Sequence, residues 1–182
     1  QETRSVLALI RWFVAAASLL GEPTLLAVPD ALLQRTTMPE PSGLVWSPAL
    51  SRYIVISDDT GTLAVRVPVE WADVSSGDWI LDDKPIGLSL KAAVNLEEYD
   101  SSWSAPGLFF GVSKEFAGTD SAEVLDAMDY QENCKSSERF EYDDSVFVGN
   151  YDLWEGCGGT DSLWVVLAAQ PKESSAYLVL LN

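Results

Sequence analysis

The sequence predicts an α+β domain, a largely antiparallel sheet with two or three helices packed on it, preceded by an N-terminal helical segment. Three observations carry this. Leu63, Val65 and Val67 alternate with Ala64 and Arg66, the period of two that turns one face of a strand inward. After Arg139, four strand-like runs follow one another with only turn residues between them, the pattern of antiparallel neighbours. Two segments inserted earlier, from Asn95 and from Thr119 or Asp120, carry helix-start chemistry and helical spacing.

Taken in order, residues 1–35 form the helical segment. Val6, Ile10, Phe13, Ala17 and Leu20 recur at helical spacing, Ser5, Arg11 and Ser18 share a narrow polar stripe, and Pro23 ends the run. A membrane span needs a longer run without an Arg11 at its middle. A signal peptide needs an uninterrupted apolar stretch and a small-residue cleavage site. A packed helix is therefore the first reading, and membrane contact or export through residues 6–20 is the alternative. Pro29 suits the first position of a short second helix to Gln34.

Residues 36–61 read as a linker and short hairpin. Pro39 and Pro41 break structure, Leu44–Trp46 and Tyr53–Ile56 are short strands, and Asp58-Asp59-Thr60-Gly61 is a turn. Residues 62–182 are the main domain. Its strands are expected at 63–67, within 86–94, and at 108–113, 139–142, 145–154, 162–169 and 176–181. Asn95 caps a helix over 96–103 with Glu97 and Glu98 in its first turn, and Pro106 follows it. A second helix runs to Met128, with Val124, Leu125 and Met128 on one face. The expected core is Leu63, Val65, Val67, Phe109, Val146, Val148, Val165, Leu167, Leu178 and Leu180. The chain opens on Gln1 and stops inside an apolar run, so a fragment truncated at its C-terminus is expected.

Composition narrows the function. The net charge is −17, a surface that repels phosphate backbones and anionic membranes and leaves basic partners or cations in play. An even cysteine count in an acidic, Trp-rich domain fits a Cys134–Cys157 disulfide and an oxidising compartment. There is no histidine, so neither a Ser-His-Asp arrangement nor a histidine-completed zinc shell can be built within the chain.

Asp59-Thr60-Gly61-Thr62 matches the aspartic-protease signature literally. That chemistry needs a second aspartate across a two-fold axis, and the chain has no second such tripeptide. The turn reading makes Asp59 structural, an Asx-type acceptor of local backbone N–H groups. Asp73 to Asp83 offers oxygens for calcium without EF-hand spacing. Trp71, Trp79, Trp103 and Trp154 form a candidate ligand groove, with core packing as the competing use of such residues. No catalytic residue, metal or cofactor is assigned.

The order Val65-Arg66-Val67-Pro68-Val69-Glu70-Trp71, then Trp103 to Phe110 with its Ala105-Pro106-Gly107 turn, then Cys134, Tyr142-Asp143-Asp144, Tyr151-Asp152-Leu153-Trp154 and Cys157-Gly158-Gly159-Thr160 resembles the non-catalytic C-terminal domain of secreted, actinobacterial-type trypsin-like serine proteases. At fold level the strand leaving through Pro68 and Trp71 resembles the PsbP/Mog1-type sandwich. A shorter stretch, Glu40 to Trp46 followed by Tyr53 to Asp59, resembles the first blade of a secreted β-propeller. The resemblance implies an extracellular or cell-envelope accessory domain without its own active site. Its partners would be a neighbouring domain of the same polypeptide and a protein or glycan ligand, not nucleic acid. The alternative is an enzyme fragment, either half an aspartic protease or a propeller piece.

Overall fold

A computed structural model describes residues 53–182 together with the two-residue strand Val45–Trp46. The helical segment expected over 1–35, with its alternative membrane stretch at 6–20, and the linker up to Ser42 lie outside these residues. The described chain forms two stacked antiparallel sheets. The smaller has the order β1 (Val45–Trp46), β2 (Tyr53–Ser57), β3 (Ala64–Pro68). The larger is built from β4 (Asp73–Leu81), β5 (Lys84–Ala93), β6 (Gly107–Ser113), β7 (Ser136–Asp143), β8 (Phe147–Glu155), β9 (Leu163–Pro171) and β10 (Leu178–Leu181). Its spatial order is β4-β5-β6-β10-β9-β8-β7, so β4 and β7 are its edges.

Two meanders make this sheet. The first, β4-β5-β6, turns at Asp82-Asp83, whose φ angles of 49° and 61° suit a two-residue hairpin loop. After β6 the chain crosses to the far edge, and β7, β8 and β9 step back toward the centre. The last strand, β10, enters between β6 and β9 and pairs with both. Its Leu178, Val179, Leu180 and Leu181 are all buried, alternating between the two faces. The pairing extends past the strand, where Phe109 and Asn182 exchange backbone hydrogen bonds of 2.8 and 3.0 Å.

Each face has its own core. On one, Ile54, Ile56, Leu63, Val65 and Val67 of the small sheet pack against Leu90, Phe110, Tyr151 and Leu167 of the large one. The strand Tyr53–Ser57, read from sequence as part of a hairpin ahead of the domain, thus contributes to the domain's core. On the other face lie Trp79, Trp154, Val166, Leu178 and Leu180 under helix α2. Helix α1 (Leu96–Ser101) is capped by Asn95, whose side chain accepts from Glu98 N–H at 2.9 Å. Helix α2 (Ser121–Asp126) is capped by Asp120, which accepts from Ala122 N–H at 2.8 Å, and packs on β8 and β9.

The α+β expectation, and with it the PsbP/Mog1-like sandwich, is overturned. The described fold is predominantly β, a seven-stranded antiparallel sheet with a second sheet on it and two helices of six residues each. Strand β4 explains most of the error. Its sequence, Asp-Val-Ser-Ser-Gly-Asp-Trp-Ile-Leu, lacks an apolar alternation because an edge strand buries little, and it read as a polar loop. The small sheet, read as a preamble, supplies the second layer.

Of the expected core, Leu63, Val65, Val67, Leu167, Leu178 and Leu180 are buried, and Phe109 and Val165 partly so. Val146 and Val148 are exposed by 44% and 45%. Val148 points to the α2 face, but so short a helix leaves that end of β8 uncovered.

Burial sets a contrast. Leu180→Ala should cost about 2–5 kcal/mol, because it opens a cavity where two meanders meet. Val148→Ala should change stability by no more than about 0.5 kcal/mol. Urea denaturation of the two variants checks the pair.

Candidate functional site

The turn before β3 is organised by Asp58, not by Asp59. Asp58 is buried; its Oδ1 accepts from Leu63 N–H at 2.6 Å, and its Oδ2 from Thr60 N–H at 3.2 Å and from the Thr60 hydroxyl. Backbone bonds Gly61 N–H to Asp58 C=O (3.0 Å) and Asp58 N–H to Leu63 C=O (3.1 Å) close the loop, and Gly61 takes φ 68° as a turn glycine does. The Asx-type acceptor expected at Asp59 therefore sits one residue earlier, and Asp59 faces solvent. Pattern matching to the tripeptide fixed on the wrong member of an acidic doublet, since sequence does not tell which of two adjacent aspartates turns inward.

The four candidate groove tryptophans are divided between the faces. Trp79 and Trp154 are buried in the helix-side core, and Trp103 packs against it. Trp71 packs on the opposite core, against the small sheet. Trp103 instead joins an aromatic cluster, with ring centroids 5.3 Å from Trp164 and 5.8 Å from Tyr130. Tyr130 in turn lies 5.7 Å from Trp154, and burial pushes its phenol pKa up.

The expected disulfide fastens this cluster. Cys134 and Cys157 are bonded at 2.06 Å across a separation of 23 residues. Closing a loop of that length stabilises by about 3 kcal/mol in the chain-entropy model. Beside it, Gly158 donates to Asn133 C=O at 2.8 Å and holds φ 61°. A Cβ there would fall 2.4 Å from Trp103 Cδ1, so both conformation and space require glycine.

Concave surface lies elsewhere, along β7 and β8. In register, Ser137 faces Trp154, Arg139 faces Asp152, Glu141 faces Asn150, and Asp143 faces Val148. All eight turn to the α2 side, by the period of two. A cleft of about 560 Å³ lies at the Asp143 end, against the loop Gly118–Ser121. One of about 430 Å³ lies at the Ser137 end, against Leu125, Asp126, Asp129 and Gln131.

Between them stands Arg139. Its Nε and Nη2 donate to the two oxygens of buried Asp152 at 2.6 and 2.8 Å, and its Nη1 reaches across to Asp126 of α2 at 2.7 Å. Ser121 donates to Asn150 Oδ1 at 2.8 Å, and Gln170 Nε2 donates to Thr119 C=O, tying the same loop to the sheet. Of these residues Asp152 belongs to a motif that carries the resemblance, and none reads from sequence as a site residue. One signal was present, since Arg139 is the sole cation between Ser136 and Pro171 in an acidic stretch.

Asp144 shapes the Asp143 end by closing the β7–β8 hairpin. It accepts from Val146 N–H, Phe147 N–H and the Tyr142 hydroxyl at 2.7, 2.6 and 2.7 Å. Burial alone would raise its pKa. The donors and the Lys172 charge outweigh that and hold it below the ordinary value.

The candidate calcium segment lies along β4, where successive residues point to opposite faces and their oxygens do not converge. Among the described residues no group of three His, Cys, Asp or Glu side chains is arranged to hold a metal, and no helix is long and apolar enough to cross a membrane. Comparison with family models, with curated proteins and with solved structures gave no match.

Two predictions separate the carboxylates. Asp58→Ala should cost about 1–3 kcal/mol by stranding the buried Leu63 N–H, while Asp59→Asn stays within about 0.5 kcal/mol, both read from thermal and urea denaturation. For Asp144, a folded pKa below the unfolded one means its contribution is present above about pH 4 and is lost as pH falls through the folded value. Stability followed down from pH 5 should therefore fall less steeply in Asp144→Asn than in the unaltered chain.

Proposed function

We propose that this chain is a non-catalytic accessory domain of an exported protein that works by binding, attached to a secreted hydrolase such as a serine protease. The observation that carries this reading is the use to which the motif residues are put. Gly107 enters β6 where Tyr99 fills the space of a side chain, Asp144 closes a hairpin, Cys134 and Cys157 are bonded, and Gly158 makes room for Trp103. These residues belong to the motifs by which the chain resembles the accessory domain of secreted serine proteases, and they are spent on scaffold, while Asp143, Asp152 and Trp154 of the same motifs line the groove. The disulfide supports an extracellular or cell-envelope setting, where such bonds persist. The groove along β7 and β8 is the concave surface this reading assigns to a ligand or a neighbouring domain.

The test is peptidase activity. The oxidised chain is incubated with unfolded casein at acid and at neutral pH, beside Asp59→Asn. The expected result is no cleavage above buffer from either. Pepstatin-sensitive cleavage that Asp59→Asn abolishes would overturn the reading in favour of an aspartic-protease half-site.

A further inference from the structure

We infer that the groove along β7 and β8 takes an extended cationic peptide segment, lying parallel to the strands and spanning the Arg139–Asp126 bridge. The inference rests on the binding-domain reading and names its ligand class.

Shape is the first argument. The two clefts are consecutive stretches of one sheet face, since Ser137, Arg139, Glu141 and Asp143 follow each other on β7 at every second residue. From Ser137 to Asp143 that face is about 20 Å long, the reach of about six extended residues. Helix α2 walls one side, and the other opens over β7, the edge of the sheet among the described residues. An elongated ligand fits this outline better than a compact one.

Charge selects the class. Asp120, Glu141 and Asp143 line the first cleft, and Asp126, Asp129 and Asp152 the second. Arg139, the one cation among the described residues that lines either, is already held by Asp152 and Asp126. Lys172, at the rim, is held by Asp143. The surplus is negative along the whole groove. On the floor of the first cleft Val148 is 45% exposed, a place for the aliphatic stem of a Lys or Arg whose head reaches the carboxylates.

A third observation is independent of charge. Trp154 lines the second cleft, and its buried indole N–H has no acceptor among the described residues. A buried donor left without a partner is costly, and a ligand carbonyl would satisfy it once the Trp154 ring turns toward the cleft, since the N–H is covered in the free chain. A peptide supplies both the cations and the carbonyls. A neutral oligosaccharide can also offer acceptors and can donate hydroxyls to the carboxylates, but it brings no positive charge to meet theirs, so charge is what separates the two ligands.

The experiment is fluorescence anisotropy on the oxidised chain with a labelled peptide of about eight residues alternating Lys with Ala. A Gln-for-Lys version and a labelled chito-oligosaccharide run beside it, and peptide integrity is checked by mass spectrometry. The cationic peptide should bind at least about tenfold tighter than the Gln version and weaken between about 50 and 300 mM salt. Glu141→Gln with Asp143→Asn, and separately Val148→Lys, should each weaken it about tenfold or more, with melting temperatures unchanged. Glu97→Gln with Glu98→Gln, on exposed α1 away from the groove, should leave it unaltered.

Equal losses in the α1 pair would reduce the attraction to overall charge and overturn the proposal. Preference for the oligosaccharide, lost in Val148→Lys, would overturn the peptide assignment and keep the binding domain. Cleavage of the peptide, abolished in Asp59→Asn, would overturn the binding-domain reading itself.

Discussion

The pairing of Leu178–Leu181 with Gly107–Ser113 makes one sheet of two meanders. Without it β4-β5-β6 and β7-β8-β9 would each present an unpaired inner edge and half a core. All four β10 side chains are apolar and buried because the strand is central and covered on both faces. Val179 and Leu181 meet the small sheet, and Leu178 and Leu180 meet the helix-side core. Both hydrophobic clusters therefore pass through the same four residues. Since β10 and β6 are far apart in sequence, this contact closes a long loop, and such pairings are slow to form relative to the local hairpins.

What lies on the helix-side face is held by two fasteners of different kinds. At one end the disulfide joins the loop after α2 to the turn at Cys157–Gly159, and the aromatic rings of Trp103, Tyr130 and Trp164 pack around it. Toward the middle Arg139 pairs bidentately with Asp152 and reaches α2 through Asp126. The first restrains the unfolded chain, and the second gains little unless geometry is good, because Asp152 is buried and its charge must be met. A helix of six residues is too short to be stable by itself, so its place is set by these contacts and by Val124 and Leu125 in the core.

The sequence made some of this legible and hid the rest for physical reasons. A strand with one buried face, such as β3, announces itself by alternation, a strand covered on both faces, such as β9, by its continuous apolar run, and the Asn95 and Asp120 caps mark their helices. The disulfide followed from having two cysteines and a setting that favours their union. Strand β4 stayed hidden because an edge strand has no need of an apolar face, and reading it as a loop, together with reading the small sheet as a preamble, turned two stacked sheets into an α+β domain. The Asp58 and Asp59 doublet shows a second limit, since composition is the same whichever residue turns inward. The groove was illegible for a third reason. It depends on the β7–β8 register, which sets Arg139 opposite Asp152 and Glu141 opposite Asn150, and register is fixed by the Asp144 turn rather than by any periodic signal.

That register also explains why the groove is polar at all. Outward positions of β8 change character along the strand, from Trp154 under the aromatic cluster, through Asp152 and Asn150 beside α2, to Val148 beyond it. Where the helix and the cluster cover the sheet, the residues are apolar or fully paired. Where α2 ends, the face keeps charge and exposed valine together. A longer helix would have buried Val148 and required an apolar partner at Asp143. The short one leaves a strip that is only partly paired, Asp143 to Lys172 and Asn150 to Ser121, with Val148 exposed beside them, bounded by elements the disulfide and Arg139 hold in place. A surface of that kind is a cost to a domain that only supports itself, and it is the feature a binding domain has reason to keep.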